Sequence, residues 1–383
     1  MNDNIEKRKK SITDILRNLD ITPTMFKNAE EKYKNIAIFL NEHGLNVDIS
    51  LQGSFAIGTV TRPYSAEKEK MYDVDVICLF NEDINSSQSI RENLINVLNE
   101  SLVYQNMVKE WPKCITLEYT NLGDFQFRID LVPTVLDKNS IIEQDLKDSK
   151  YYNQVLKIAV KEEKFKWYKI NPKGYQNWFN DINEKFSLYN REQRLKKILE
   201  NNRNLFTQIE EIPPYFNKSS LQEAIQILKR NRDIYFSKIK NNNHKPSSII
   251  LTTFAAIIAK ECSMDIDSVD LALEIIVKFK QHFNNAKSDN ANHILNKGRG
   301  WEFYNPVNSE DNLLDSWNNN DDVNKTFYEW LVYAEKTLKT ILDITTENYI
   351  EYIGNSFGNE ITDKVFNRNK IHTVKNGVKP YHE

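Results

Sequence analysis

YDVDVICLF, residues 72–80, alternates as a β-strand with one buried face does: Val74, Val76 and Cys78 point one way, and Asp73, Asp75 and Ile77 the other. Carboxylates two residues apart on a strand leave it from the same face, about 6.6–7 Å apart along the chain. The pattern returns in FRIDLVP, residues 127–133, where Asp130 stands between Ile129 and Leu131. Pairing these two strands would set Asp130 beside Asp73 and Asp75. Upstream, a polar–apolar alternation over Asn46–Leu51 predicts another strand, which runs directly into Gly53-Ser54.

Taken singly, each piece is ordinary: a lone DxD is commonly a solvated strand face, a lone Gly-Ser a turn, and IDLVP an acid at a strand end. In this order, in one lobe, they point to more. Three acids aimed the same way from one sheet repel each other and destabilise the fold unless cations offset them. The pattern therefore predicts a metal site built from Asp73, Asp75 and Asp130, with two Mg2+ ions expected and Mn2+ a workable substitute. Magnesium prefers oxygen ligands and bridges carboxylates to substrate phosphates, and a second ion lowers the pKa of an attacking hydroxyl. Asp130 is the acid expected to help deprotonate that hydroxyl or to hold the ion that does so. Gly53 lets the backbone approach phosphates, and the Ser54 hydroxyl and N–H can bind them.

Around these strands the chain divides in two. Met25, Phe26, Tyr33, Ile36, Ala37 and Leu40 recur at helical spacing from Pro23 to about His43, with Thr22 or Thr24 as cap and Gly44 as stop. A helix is expected over 88–108, then strands at Cys114–Tyr119 and Phe125–Val132 joined through Asn121 and Gly123 as in a hairpin. Residues 1–150 thus read as a mixed sheet with helices. Residues 151–383 read as a mainly helical lobe, with amphipathic segments at 151–168, 192–206, 219–240, 247–261, 267–284 and 322–343. The Asn-rich pieces 241–243, 284–296 and 318–320 read as loops. The fold class expected is α+β, with the active site in the cleft between the lobes.

Composition narrows the function. A net charge of −3 argues against a surface that coats duplex nucleic acid, though it leaves room for a small basic pocket. Cys78, Cys114 and Cys262 lie far apart, with no CxxC or Cys/His cluster, so neither a zinc module nor a disulfide framework is indicated. The charged start MNDNIEKRKK leads into no apolar segment, and no run approaches the ~20 apolar residues of a membrane span. A soluble cytoplasmic protein without membrane attachment, working as a monomer, is expected.

The Gly-Ser, DVDV and IDLVP elements together resemble the DNA polymerase β-like nucleotidyltransferase superfamily. More narrowly, the chain resembles the bacterial cGAS/DncV-like nucleotidyltransferases, or CD-NTases, of CBASS anti-phage defence. The narrower likeness runs through LQGSFAIGT (51–59), DVDVICLF (73–80), FRIDLVP (127–133), NPKGYQNWF (171–179), LQEAIQILKRNRD (221–233), KPSSIILTTFAA (245–256) and NPVNSEDNLLDSW (305–317). It implies a polymerase β-like catalytic lobe plus a helical lobe. It also implies template-independent condensation of nucleoside triphosphates, ATP or GTP among them, into a cyclic di- or trinucleotide with release of pyrophosphate. The product would act on a downstream effector. Residue by residue, it implies phosphate binding by Gly53 and Ser54 and metal binding by Asp73, Asp75 and Asp130. It implies triphosphate contacts from Lys229 and Ser248 as well.

Read without that resemblance, Lys229 suits a solvated helix face, and Ser248 is as well suited to capping a helix after Pro246. Tyr175 or Trp178 could stack on a base, although aromatics at this spacing are commonly core. NPVNSEDNLLDSW reads as structural, with Asn312 or its neighbours capping a short helix and Trp317 in the core. Residues 55–72 separate Ser54 from Asp73, longer than in the shortest superfamily motifs, and TRPYSAEKEKM within it is expected to border the cleft. No zinc-binding insertion of the animal cGAS kind is present, and with the absent basic surface this argues against a duplex-DNA activator. Alternatives are a linear polymerase or tailing enzyme, which would want a basic primer track, a small-molecule nucleotidyltransferase, and a silent nucleotide-binding regulatory module, which would commonly lack one of the acids.

Overall fold

In a computed structural model of the chain, residues 2–65, 68–69, 71–82, 84, 86–119, 127–138, 151, 155–187, 198–201, 217–239, 242–289, 291–296, 298, 300–343 and 348–366 are described. The fold is α+β. Its centre is strand β4 (Tyr72–Phe80), which follows the short antiparallel pair β2 (Tyr64–Ser65) and β3 (Lys68–Glu69) and pairs antiparallel with β1 (Val47–Leu51) and parallel with β7 (Phe127–Leu136). β7 in turn pairs antiparallel with β6 (Ile115–Tyr119), and β6 with β5 (Val108–Glu110). A parallel neighbour needs a crossover, and α4 (Ser87–Glu100) lies in the connection between β4 and β7.

The alternation read in YDVDVICLF is the burial pattern found. Val74, Val76 and Cys78 are fully buried in a core shared with α2 (Pro23–Glu42) and α4, through Met25, Phe26, Ile36, Leu40, Ile90, Leu94 and Leu98. The other face carries Asp73 and Asp75 and then Ile77, which packs with Val132, Leu156, Ile158 and Val160. One face is thus closed by helices, and the other is left polar at one end. α2 starts at the expected cap: Thr22 Oγ1 accepts the Met25 N–H at 3.2 Å. Gly44, at φ +86°, follows the helix.

Three expectations need correction. The helix over 88–108 stops at Glu100, where Ser101 is extended and turns follow. The described residues of 151–168 are not helical. They hold β8 (Leu156–Lys161) and β9 (Phe165–Ile170), a hairpin that pairs with the end of β7 and carries the sheet past residue 150. The Glu-Glu-Lys turn between two short apolar runs imitates a charged helix face. In addition, α1 (Asn2–Leu19) buries Ile12, Ile15, Leu16 and Leu19 in the helical core rather than against the sheet. The Asn121–Gly123 connection and most of the expected helix 192–206 lie outside the described residues.

The helical core gathers α5 (Pro172–Ser187), α6 (Ser220–Lys238), α7 (Ser248–Ala259), α8 (Ser268–Asn285) and α9 (Asp321–Asp343), with Trp178, Phe254, Phe279, Trp317 and Trp330 at its centre. Short helices α10 (Tyr349–Phe357) and α11 (Asn359–Val365) complete it. α6 is the element on which the rest turns. A reciprocal capping box opens it, Ser219 with Gln222, and even its polar residues Gln226, Arg230, Asn231 and Asp233 are buried, because both lobes pack on it. Among the described residues, no helix is long and apolar enough to cross a membrane.

Candidate active site

A cleft of about 510 Å³ opens between the sheet and the helices. Gly53, Ser54, Asp73, Asp75, Lys229 and Ser248 all line it, so six residues singled out from distant parts of the sequence meet in one cavity.

The turn after β1 is built for close approach. The Gln52 N–H donates to the Asp75 carbonyl at 2.9 Å, pinning the strand end to β4, and Gly53 then takes φ +62°. A side chain there would be strained by its backbone and would meet the Asp75 carboxylate. α3 (Gly53–Ala56) is the single helical turn that follows, with the Thr59 N–H closing on the Ser54 carbonyl at 2.9 Å.

The strand pairing sets Asp130 beside Asp75, but Asp130 is not among the residues that line the cleft. In the parallel pairing Asp75 stands opposite Asp130, and Asp73 opposite Arg128. Arg128 Nε lies 2.6 Å from Asp73 Oδ1, while Asp130 Oδ1 accepts the Thr116 hydroxyl from the next strand. Burial, then repulsion from Asp130 and Asp73, pushes the Asp75 carboxyl up to about 7, against the pull of Lys229 and Arg128. Burial also raises Asp73, even with Arg128 beside it. Buried carboxylates that repel each other in this way are stabilised by cations, and the all-oxygen donor set fits magnesium. Among the described residues, no three His, Cys, Asp or Glu side chains converge closely enough to hold an ion alone. Ligands from the substrate's phosphates would have to complete the sphere, and Asp73 would have to loosen its pairing with Arg128.

The opposite wall is basic. Lys229 is not on a solvated face: only 4% of it is exposed, and its Nζ donates to Thr59 Oγ1 at 2.9 Å and to the Thr59 carbonyl at 3.2 Å. Burial, then the charges of Arg232 and Lys218, pulls its pKa down to about 7, against Asp233 and Asp75. Ser248 is the first residue of α7 rather than its cap, a position that falls to Ser247, and its Oγ accepts from Arg232 Nη1 at 3.1 Å.

Several lining residues carried no assignment from sequence. Arg232 and Lys245 face the cleft beside Asp233: Arg232 bonds its Oδ1 through Nε and Nη2 at 2.9 and 2.7 Å, and Lys245 lies 3.5 Å away. Burial opposes ionisation of Asp233, yet Arg232 and Lys245 outweigh it and hold the carboxyl below its usual range. The signal was present in KRNRD, where 229, 232 and 233 share a helix face by spacing. Asn305 and Asp311 also line the cleft, Asn305 Nδ2 donating to Asp311 Oδ2 at 3.0 Å. The structural reading of that segment holds for Trp317, which is buried, but the short helix Asp315–Asn318 has Leu314 at its cap position with no side-chain capping bond, and Asn312 braces the turn before it instead. The Asn312 Oδ1 accepts from the Phe303 and Leu314 N–H groups. Trp178 is core, whereas Tyr175 lines the cleft with its hydroxyl 2.9 Å from Thr253 Oγ1. Thr61 and Pro63, from the long piece after Ser54, border the cleft as expected.

Residues 7–183 match the SMODS family, the Second Messenger Oligonucleotide or Dinucleotide Synthetase domain. A c-di-GMP synthase of Roseivirga ehrenbergii is 29% identical over 326 residues, covering 82% of this chain and 73% of that protein. Among solved structures, the CD-NTase CdnG of Bradyrhizobium diazoefficiens in complex with GTP superposes with a TM-score of 0.70 at 16% identity, covering 93% of this chain and 97% of that one. The Vibrio cholerae DncV cyclic AMP-GMP synthase in complex with nonhydrolyzable GTP gives 0.54 at 19% identity, covering 83% and 70%. The SMODS match over residues 7–183 and the fold shared with CdnG and DncV make this chain similar to the bacterial cGAS/DncV-like nucleotidyltransferases.

Proposed function

We propose that this chain condenses two nucleoside triphosphates into a cyclic dinucleotide, releasing pyrophosphate at each bond, with GTP as the preferred substrate and the product serving as a signal in anti-phage defence. The observation that carries the reading is the meeting of Gly53-Ser54, Asp73 and Asp75, and the Lys229, Arg232 and Lys245 wall across one cleft, with Asp130 paired opposite Asp75 on the neighbouring strand. Gly53 and Ser54 take the triphosphate through backbone and hydroxyl, and Lys229 and Ser248 meet it from the helical side. Asp73, Asp75 and Asp130 would hold two magnesium ions, with Asp130 helping to deprotonate the attacking ribose hydroxyl or holding the ion that does so. The ions, when bound, neutralise phosphate charge and lower the pKa of that hydroxyl. Manganese would substitute.

The base preference has support of two kinds. The relative from Roseivirga ehrenbergii is a c-di-GMP synthase. Asp311, half-buried in the cleft, offers a carboxylate whose Oδ2 accepts from Asn305. Guanine is the base that presents two adjacent donors, N1–H and the 2-amino group, and a carboxylate accepts both. The lobes that form the cleft meet at Ile170–Asn171, because the sheet continues through β9 and α5 enters the helical core.

Incubation of purified protein with each radiolabelled ribonucleoside triphosphate and magnesium, followed by phosphatase and thin-layer separation, tests the proposal. A phosphatase-resistant product labelled by GTP is expected. A product degraded by phosphatase would identify a linear oligonucleotide instead.

A further inference from the structure

The turn that carries Gly53-Ser54 is held from behind by side chains of the helical lobe. Five consecutive carbonyls after it each accept a hydrogen bond from a different side chain. Gln176 Nε2 on α5 donates to Ala56 O at 3.0 Å, and Gln222 Nε2 on α6 to Ile57 O at 2.8 Å. Lys218 Nζ, just before α6, donates to Gly58 O at 2.6 Å, Lys229 Nζ to Thr59 O at 3.2 Å, and Gln226 Nε2 to Val60 O. Residues 218, 222, 226 and 229 form one stripe at helical spacing. They are all buried. The N–H groups of Ile57, Gly58 and Thr59 bond back into the same turn, so the segment is closed on itself on one side and clamped by α6 on the other. Gln222 serves twice, its oxygen accepting from the Ser219 N–H in the capping box and its amide donating to the loop.

The geometry points to Gln222 and Gln226 as positioning residues for triphosphate binding: through the clamped carbonyls, α6 sets the orientation of the Gly53-Ser54 turn. This rests on the nucleotidyltransferase reading of the cleft. The physical basis is that one helix then determines both walls of the phosphate site. The face of α6 that bonds the loop ends in Lys229, and the adjoining residues Arg232 and Asp233 line the cleft. A turn anchored only to β1 and β4 would be free to shift relative to Lys229 and Arg232. A rigid link between the two walls keeps both at the spacing one triphosphate spans, so its loss would weaken binding, a functional consequence that packing alone would lack.

The test uses two variants that remove a donated bond by different means. Gln226→Met keeps the side-chain length and deletes the donor. Gln222→Glu keeps the oxygen that the capping box needs and loses the amide. Affinity for nonhydrolysable GTP with magnesium is measured by calorimetry, and pyrophosphate release gives KM and kcat, all well below the melting temperature. Each variant is expected to fold, to bind GTP about tenfold more weakly and to raise KM about as much, with kcat at saturation within about threefold. Gln226→Lys, which restores a donor of the kind that Lys218 and Lys229 already supply next door, is expected to recover most of the affinity. Leu94→Ala, in the core on the far face of the sheet, should lower stability without moving KM. The proposal is overturned if Gln226→Met and Gln222→Glu lose stability but keep wild-type affinity, or if Gln226→Lys binds no better than Gln226→Met. Wild-type protein that binds GTP and makes no product would sink the catalytic reading while leaving the clamp measurable.

Discussion

Gly53 and Asp75 are packed so closely that a Cβ on the glycine would stand 2.5 Å from Asp75 Oδ2. The proposed phosphate turn and metal acid are thus one unit, and the requirement for glycine has two independent causes. The backbone is left-handed at φ +62°, which costs a side-chain-bearing residue about 1–2 kcal/mol. The side chain would also have to displace the carboxylate. Gly53→Ala is expected to fold with a modestly lowered melting temperature and to lose more than ~100-fold in pyrophosphate release. Near-wild-type turnover in that variant would show that Asp75 can move without harm.

Asp75→Asn separates function from stability. In the folded protein burial, with Asp130 and Asp73, holds the Asp75 carboxyl near 7, above its unfolded value. The folded state therefore binds the extra proton between about pH 4 and 7, and the stability that protonation supports declines as pH rises through that window. The asparagine escapes this decline. Without divalent ions, Asp75→Asn should melt higher than wild type at pH 7.5, by on the order of 2 °C, with the gain fading towards pH 5. Magnesium should raise the melting temperature of the wild type only, and turnover should vanish in the variant. A variant that melts lower than wild type at every pH would contradict the electrostatic account.

Lys229 supplies the opposite sign. Its folded pKa sits near 7, below the ordinary lysine value, so between about pH 7 and 10 the unfolded chain binds the extra proton and stability rises with pH. Lys229→Met should flatten that rise. Triphosphate oxygens beside the ammonium would favour its charged form, so GTP binding at pH 8 should take up a proton in the wild type. Calorimetry in buffers of different ionisation enthalpy would measure the uptake, expected to approach one proton per nucleotide and to be absent in Lys229→Met. Equal proton uptake in both proteins would place the titrating group elsewhere.

How far the sequence can be read depends on whether a residue's role is local. The alternation in β4 and β7 follows from a period of two with one buried face, and it brought Asp73, Asp75 and Asp130 together before any coordinates did. Gly53 was legible because few residues can follow a strand and turn there. The hairpin of β8 and β9 was missed because charge at its turn imitates an amphipathic helix, and only pairing with Thr134–Leu136 decides between them. Lys229 read as solvated for a related reason. KRNRD is polar throughout, and its burial comes from two lobes closing on α6. The clamp on residues 56–60 leaves no trace in sequence, since its acceptors are backbone carbonyls.

Arg91 shows the same limit at a position remote from the cleft. It is fully buried, donating to the carbonyls of Trp111, Pro112 and Ala159 and pairing with Glu110 at 3.1 Å, so it ties α4 to β8 and the β5–β6 edge. Removing one partner of a buried charged network typically costs about 3–5 kcal/mol. Arg91→Ala is expected to destabilise the fold by that order in urea titration. GTP affinity at temperatures where the variant remains folded should be unchanged. Loss of affinity in the folded variant would mean that the far side of the sheet is coupled to the site.

The proposed guanine preference turns on Asp311. Its carboxylate, held by Asn305 Nδ2 at 3.0 Å, presents only acceptors to the cleft, and guanine's Watson–Crick edge offers N1–H and the 2-amino group side by side. Adenine would put its N1 lone pair against a carboxylate oxygen, and cytosine its N3. Asp311→Asn keeps the shape but replaces one acceptor with a donor, so it should weaken guanine and ease adenine. A good bidentate contact to a base contributes about 1–3 kcal/mol of discrimination, which corresponds to roughly 5- to 150-fold. The ratio of kcat/KM for GTP over ATP is the quantity to measure, with both nucleotides labelled and the product separated by base content. It should fall by at least about fivefold in Asp311→Asn, mainly through a lower value for GTP. A ratio unchanged by the substitution would move guanine recognition to another part of the cleft and leave Asp311 as a structural partner of Asn305.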